Sequence, residues 1–371
     1  MQRPRWCCIL AVLMRIGILS AQLGEEDVHE NRRLVKEILL MGHKAQIINY
    51  RRSVVVATKN KQMLYLPDKK GVLKPVKVNA VIPRINEADS KSINLATLAL
   101  ESLIASGVYS TSSPSSIRLS KDKIRSLLVI NGAGVNTPRT AAITSAKTTE
   151  LDMDKVLKVV EPNTGRRLII KTNIGTHGRG VMSANNRGEA RAIVDGFLAN
   201  NIPVLLQQFV EPSKKNLYVD LRLVVVNGKV VAAMRRESAK KDEIRANISL
   251  GGHGDPYTPS ESEVAMAEQA ARALGMSVAG VDIIPSGRNR FVIEVNSSPG
   301  FMIEKVAKVN LAKKIVRQAV SNANRHEKRT REKLAAKLNR PITVKPIKDI
   351  RQGLHRPRLQ KLRLSSSKKT R

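Results

Sequence analysis

Two short apolar runs in the last third of the chain each carry a residue that is costly to bury. Asp282 interrupts Val278-Ala279-Gly280-Val281-Asp282-Ile283-Ile284, and Glu294 interrupts Phe291-Val292-Ile293-Glu294-Val295-Asn296. A carboxylate inside such a strand must be paired, bound to a cation or turned to water. Alternate residues of a strand share a face, so Glu294 and Asn296 point the same way. The link 285–290 is short enough for an antiparallel hairpin. A register setting Asp282 opposite Glu294 would gather three oxygen-bearing side chains on one patch. Such hard donors suit magnesium, which keeps waters and shares phosphate oxygens. A solvated outer face meets the same local pattern equally well.

Upstream lies Lys171-Thr172-Asn173-Ile174-Gly175-Thr176-His177-Gly178-Arg179-Gly180-Val181. Three glycines in six positions let backbone N–H groups close on an anion, and Lys171 and Arg179 add charge. The order G-x-x-G-x-G is neither a Walker loop nor the dinucleotide fingerprint, and a glycine-rich hairpin loop would satisfy it. Arg222, Arg235, Arg236 and Arg245 follow in or beside strands, the last near Asn247. Arginine stems often just cover apolar surface. A convergent set would instead grip phosphates and carboxylates through paired N–H bonds. His177 and His253 sit among glycines and take no role. No Ser/His/Asp or Cys/His constellation points to a hydrolase.

Strands and helices must position these groups. Apolar patterning predicts a strand over 14–20, a helix over 30–41 closed by Gly42, and strands over 46–49 and 79–85. A helix follows over 94–106. Strand–helix–strand at this spacing implies a parallel sheet flanked by helices. A second unit begins near Ser115, with a helix over 121–130 and strands over 167–171 and 181–184. Beyond it come a helix over 190–200 and strands over 204–209, 221–226 and 230–234. Asn227-Gly228 joins the last two, a strong hairpin signal. A helix over 261–274 and the strands 278–284 and 291–295 close the body, which is α/β or α+β in several lobes.

The 371 residues include 65 Lys+Arg against 31 Asp+Glu, a formal charge of +34. That surplus favours a polyanionic partner such as RNA, the ribosome or an anionic membrane surface. From Arg325 to Arg371 there are 17 Lys+Arg and three acids, so a basic tail carries +14 and the body is basic as well. Aromatics are 3%, which argues against a base-stacking platform. The two cysteines, Cys7 and Cys8, are adjacent and form neither a zinc site nor a disulfide framework, so a reducing cytosol is the expected compartment. The apolar run 6–14 is shorter than the ~20 residues a membrane span needs. Residues 1–13 read as an extension ahead of Met14, in preference to a signal peptide whose removal would endanger the first strand.

Taken in order, the elements resemble a family. The order is Lys123, Lys171 with its glycine loop, 207–210, Asp220-Leu221-Arg222, Arg245-Ala246-Asn247, Asp282 and Glu294-Val295-Asn296-Ser297-Ser298-Pro299-Gly300. Met14-Arg15-Ile16-Gly17-Ile18-Leu19-Ser20, Ala80-Val81-Ile82-Pro83-Arg84-Ile85 and Asp122-Lys123-Ile124-Arg125-Ser126 support it. The chain resembles the ATP-grasp carboxylate–amine ligases, RimK-type alpha-L-glutamate ligases in particular, over about 14–320. The resemblance implies an ATP-grasp fold behind a parallel α/β pre-ATP-grasp domain. The implied division is 1–13 extension, 14–114 pre-ATP-grasp, 115–195 central and lid subdomain, 196–321 C-terminal subdomain with the metal site, and 322–371 basic tail.

The roles it implies are specific. Lys123 and Lys171 hold ATP phosphates under a loop carrying Gly175, Gly178 and Gly180. Backbone groups of Gln208 and Phe209 meet the adenine, and Asp220 lies on the ribose side. Asp282, Glu294 and Asn296 bind one or two magnesium or manganese ions. Arg222, Arg236, Arg245 and Asn247 hold the acyl phosphate and the amino acid, with Arg245 and Asn247 also near the nucleotide. In this family ATP phosphorylates a carboxylate and an amine attacks the acyl phosphate to form an amide. Glutamate is the expected amino acid and a small-subunit ribosomal protein C-terminus the expected acceptor. Small cofactors, carrier proteins or a non-catalytic RNA-binding role are the alternatives, and a homo-oligomer is compatible with all of them. The chain departs from the family at Gln208, where Glu is usual, and at Asn79, where Asp is usual. The tail is outside the common pattern and reads as an RNA or ribosome contact or as a solvated end.

Overall fold

The structure is a computed structural model that describes residues 13–21, 24–59, 61–87, 89–144, 152–163, 166–173, 180–211, 218–238 and 252–338. Gly175, Gly178, Arg245, Asn247, residues 1–12 and the tail from 339 lie outside the described residues. The chain forms two compact units, 1–326 and 327–371.

Strand β1 (Arg15–Ser20) leads to helix α1 (Gly24–Leu40) and β2 (Lys44–Asn49). A hairpin of β3 (Val54–Thr58) and β4 (Lys61–Pro67) and the short β5 (Leu73–Pro75) come next. Then follow β6 (Ala80–Arg84), α2 (Ser90–Ala105) and β7 (Tyr109–Ser110). Strands β2-β1-β6-β7 form a parallel sheet, as the spacing predicts. The near-continuous burial of β1 and β6 is the mark of a sheet covered on both faces. The antiparallel sheet β3-β4-β5 is not among the sequence expectations.

The helix expected over 121–130 is α4 (Lys123–Gly132), and α3 (Pro114–Lys121), not among the sequence expectations, precedes it. Asp122 breaks them: its extended backbone ends α3, and its side chain caps α4 by accepting from the Arg125 N–H at 2.9 Å. Next come β8 (Thr140–Ile143), α5 (Met153–Val160), β9 (Leu168–Thr172), β10 (Val181–Ala184), α6 (Arg187–Ala199) and β11 (Val204–Gln208). They build an antiparallel sheet in the order β10-β9-β11-β8, with Leu157, Val194 and Leu198 packed on Leu168, Ile170 and Leu206.

The third sheet runs β14-β13-β12-β15-β16, made from β12 (Val219–Val226), β13 (Lys229–Glu237), β14 (His253–Pro256), β15 (Val278–Ser286) and β16 (Asn289–Asn296). Asn227 and Gly228 both have positive φ, as the expected hairpin turn requires. Helix α7 (Glu261–Ala273) covers one face, packing Ala267, Ala270 and Ala271 on Leu221, Leu223 and Val225. Val224, Val226, Met234 and Val278 point the other way. They join Phe301, helices α8 (Met302–Val306) and α9 (Leu311–Leu338), and Met14, Ile16 and Ile82 of the parallel sheet in one core.

Helix α9 corrects the start of the basic tail. Ala323 is buried, the Asn322 side chain donates to the Tyr109 hydroxyl at 3.0 Å, and the His326 ring lies 6.0 Å from that of Tyr109. Residues 322–326 therefore belong to the folded body. In the second unit, residues 327–338 are helical and carry an Arg331–Glu327 pair at 2.6 Å. Among the described residues no helix is long and apolar enough to cross a membrane.

Candidate functional site

The second face of the third sheet changes character along its strands. Following alternate residues, apolar Val226 and Val224 give way to Arg222 and Asp220 on β12. Ala232 and Met234 give way to Arg236 on β13, and Val278 to Gly280 and Asp282 on β15. One end of the face is core and the other gathers charge. The register brings Asp282 opposite Glu294 and Gly280 opposite Asn296, as the hairpin arithmetic expects. A bulge follows immediately, because Ile283 pairs with Val292 and leaves Ile293 extra.

Asp282 also lies beside Arg222 across β12. Arg222 grips it with two N–H groups, one of them 2.7 Å from Oδ2, and Arg236 Nη2 reaches Asp282 Oδ1 at 3.1 Å. Arg236 spends its other contacts on Asp220, at 2.5 and 2.7 Å. Arg235 faces away, pairing with Glu237 and Asp255, so Arg236 is the arginine of this cluster. Burial opposes ionisation of Asp282, but Arg222 and Arg236 outweigh it and hold the carboxyl below the usual range. Burial raises Asp220 above its ordinary value in spite of Arg236. Both Asp220 oxygens accept from Arg236, so here the carboxylate orients that arginine.

The lysines arrive from the neighbouring elements. Asn173, at the end of β9, accepts from the Lys123 N–H at 3.2 Å through its carbonyl and from the Ile124 N–H at 3.1 Å through its side chain. This ties the end of β9 to the start of α4 and brings Lys171 and Lys123 together. Glu294 lies in reach of both, and of Lys121, favouring the charged form of each. Burial nevertheless lowers Lys171 and Lys121 to about 8. Lys121 is a member of this cluster that sequence reasoning overlooked, although Lys-Asp-Lys around a helix cap was a usable signal.

At the glycine loop only its last residue is described. Gly180 has φ +75°, and a Cβ there would overlap the Thr172 hydroxyl, so the position demands glycine. Gln208 donates its N–H to the Arg139 carbonyl at 2.8 Å, which removes that donor from any base. The Phe209 ring meets Tyr218 edge-on at 5.7 Å, and Arg167 stacks on it at 5.3 Å while donating to the Tyr218 hydroxyl at 2.6 Å. His253 contacts Asp255, apart from this cluster.

Five cations, Lys121, Lys123, Lys171, Arg222 and Arg236, thus face three carboxylates, Asp220, Asp282 and Glu294. The excess of positive charge suits an anion such as a polyphosphate. Among the described residues no three His, Cys, Asp or Glu side chains gather to hold a metal. The third donor here is the Asn296 amide, whose Nδ2 lies 3.5 Å from Asp282 Oδ2 and leaves its oxygen to another partner. Two carboxylates and an amide oxygen are hard donors that fit magnesium with phosphate oxygens and water completing its shell.

Comparison with known proteins follows the same lines. A RimK-like ATP-grasp domain model matches residues 120–319, and a RimK PreATP-grasp domain model matches 14–117. A Thioalkalivibrio sulfidiphilus protein named "Probable alpha-L-glutamate ligase" is 34% identical over 322 residues, covering 86% of this chain and 100% of that protein. The ATP-grasp ligase PsnB complexed with a minimal precursor shares the fold at TM-score 0.60 and 17% identity, over 82% of this chain and 97% of its own. The D-alanine–D-alanine ligase of Bacillus anthracis complexed with ATP does so at TM-score 0.57 and 16% identity, over 85% and 99%.

Proposed function

The chain belongs to the RimK-like ATP-grasp family of ATP-dependent carboxylate–amine ligases, and on that premise we propose that it adds glutamate to the C-terminal carboxylate of an acceptor protein in the cytosol. A small-subunit ribosomal protein is the leading acceptor, since the basic body and tail suit a ribosome-bound substrate. The observation that carries the reading is the charge cluster at one end of the third sheet, where five cations converge on Asp282 and Glu294.

In this reading Lys123 and Lys171 bind the ATP phosphates, and Arg222 and Arg236 face the acceptor carboxylate. Asp282, Glu294 and Asn296 would hold magnesium, or manganese, whose charge helps neutralise the transferring phosphoryl group. The acceptor carboxylate oxygen takes the terminal phosphoryl group and ADP leaves. The glutamate amine then attacks the acyl carbon, inorganic phosphate departs, and the amine proton passes to solvent. Neutralising charge at each step matters more here than an acid–base pair. Gly175, Gly178 and Gly180 belong to the loop over the phosphates, and Arg245 and Asn247 are assigned to the substrate side. Phe209 is placed at the adenine, and Asp220 acts by orienting Arg236.

The test supplies ATP, magnesium, an amino-acid panel and candidate acceptors, and follows ADP release with acceptor mass. Release that depends on glutamate and on a protein acceptor is the expected result. Mass gain only on a small molecule would move the acceptor assignment, and no amino-acid-dependent release with any acceptor would sink the reading.

A further inference from the structure

An ion pair is buried where the parallel sheet meets the segment that follows Asn296. Glu30 on α1 and Arg84 at the end of β6 are paired, with 5% and 2% of their surface exposed. Both side chains also reach one short stretch of chain, 298–301. Arg84 Nη1 donates to the Pro299 carbonyl at 2.8 Å, and its guanidinium lies 5.1 Å over the Phe301 ring. Glu30 Oε1 accepts from the Phe301 N–H at 2.8 Å, and the neighbouring Ile85 N–H donates to Ser298 Oγ at 3.0 Å. Ser298, Pro299 and Phe301 are therefore each anchored from the amino-terminal region.

The same stretch presses on the charge cluster from its other side. A Cβ built on Gly280 would stand 3.0 Å from Pro299 Cβ and 3.3 Å from Arg222 Cδ, and Gly280 is the register partner of Asn296. One on Gly300 would stand 3.2 Å from Glu30 Oε1. Pro299 thus packs directly on Gly280, the strand position paired with Asn296. A buried ion pair adds little net stability over apolar residues of similar volume. Its value here is geometric, because it fixes a backbone with charge-assisted bonds.

We infer that Glu30 and Arg84 are positioning residues that hold 297–301 and, through it, set the Glu294 and Asn296 side chains for the metal–nucleotide complex. This rests on the reading of those two side chains as metal donors. The amino-terminal region thereby becomes part of the working site.

Arg84→Lys keeps the charge but loses the forked donor and the ring stacking. Glu30→Gln keeps an acceptor for the Phe301 N–H and removes the charge. Three measurements are made on each folded variant. In the nucleotide-free protein, amide exchange of the peptide spanning 296–302 should quicken about tenfold, while peptides of β12 and α7 do not change. In the presence of ADP, Mn2+ affinity read by electron paramagnetic resonance should fall about tenfold, as expected for losing one charge-assisted hydrogen bond. The KM for the amino acid should stay within about twofold on the same basis. Unchanged exchange in both variants would overturn the inference. Glu294→Ala separates the two readings. If it weakens Mn2+ binding and Arg84→Lys does not, positioning is refuted. If Glu294→Ala also leaves Mn2+ binding intact, the metal assignment falls and the exchange result alone decides positioning.

Discussion

Raising the pH from 7 to 9 should weaken nucleotide binding about tenfold, and Lys171 sets the midpoint. Burial lowers its ammonium to about 8; Glu294 opposes that shift, Lys123 adds to it, and Asp282 opposes it. Below that value the charge needed to hold a phosphate is present, and above it each pH unit removes roughly nine-tenths of what remains. If only the charged form binds, the apparent dissociation constant rises by about ten at one unit above the midpoint. The phosphates do not blur this limb, since their last ionisation lies near pH 6. Binding near pH 8 must also take up a proton, because the bound anion pulls the lysine back to its charged form. Titration calorimetry in buffers of different ionisation enthalpy reads both quantities. Lys171→Arg should flatten the profile, since a guanidinium stays charged throughout, while Lys121→Arg tests whether its neighbour shares the limb. Stability moves the opposite way. A lysine lowered from 10.5 to about 8 binds fewer protons folded than unfolded, so the nucleotide-free protein gains stability as pH rises between those values. Affinity that stays flat from pH 7 to 9 in the unmodified enzyme, with no proton uptake, would refute the assignment of Lys171 to the phosphates.

Glu294→Ala should abolish turnover while leaving the unfolding midpoint near that of the parent, because Glu294 is only half-buried. It should also move the pH limb lower, since Glu294 supports the charge on Lys121, Lys123 and Lys171; equal activity in the variant would remove the metal assignment. Asp220→Asn removes one of the two carboxylates on buried Arg236, leaving Asp282, and should cost about 1–3 kcal/mol by denaturant melt, whereas a raised KM for ATP at unchanged stability would return Asp220 to the ribose side. Ending the chain after Leu338 should leave melting unchanged but weaken RNA or ribosome binding and flatten its salt dependence. Ending it after Asn322 should lower the melting temperature as well, since Ala323 and His326 pack on the body. Equal melting of the two truncations would put the tail boundary back at 322.

How far the sequence carries depends on the range of the interaction. The Asp282–Glu294 register was legible because both strands and their turn lie within nineteen consecutive residues, Val278 to Asn296, and alternation fixes which side chains share a face. The bulge at Ile293 left no mark, since an isoleucine suits a strand whether or not it is paired. Short local signals worked at Asn227-Gly228, whereas apolar periodicity started the helix at 121, two residues ahead of the start that the Asp122 cap fixes, and left α3 unseen. The β3–β4 hairpin went unseen, and so did β5 and β8, which at three and four residues carry little pattern. Arginines in strands were visible, yet their partners were not. Nothing local says that Arg236 belongs to Asp220 and Asp282 while Arg235 turns to Glu237.

The most distant pairings were the least legible and bear most directly on how the site is held. Arg84 drew notice only as part of an apolar motif, and its partners lie 54 residues upstream, at Glu30, and 215 downstream, at Pro299. Charge that is expensive to bury needs a partner, and the partner can come from any element the fold brings near. A buried carboxylate or arginine in a sequence therefore announces a site or a joint without saying which. In this chain Asp282 announces the first and Arg84 the second, and the two meet because Pro299 rests against Gly280 on the strand that carries Asp282.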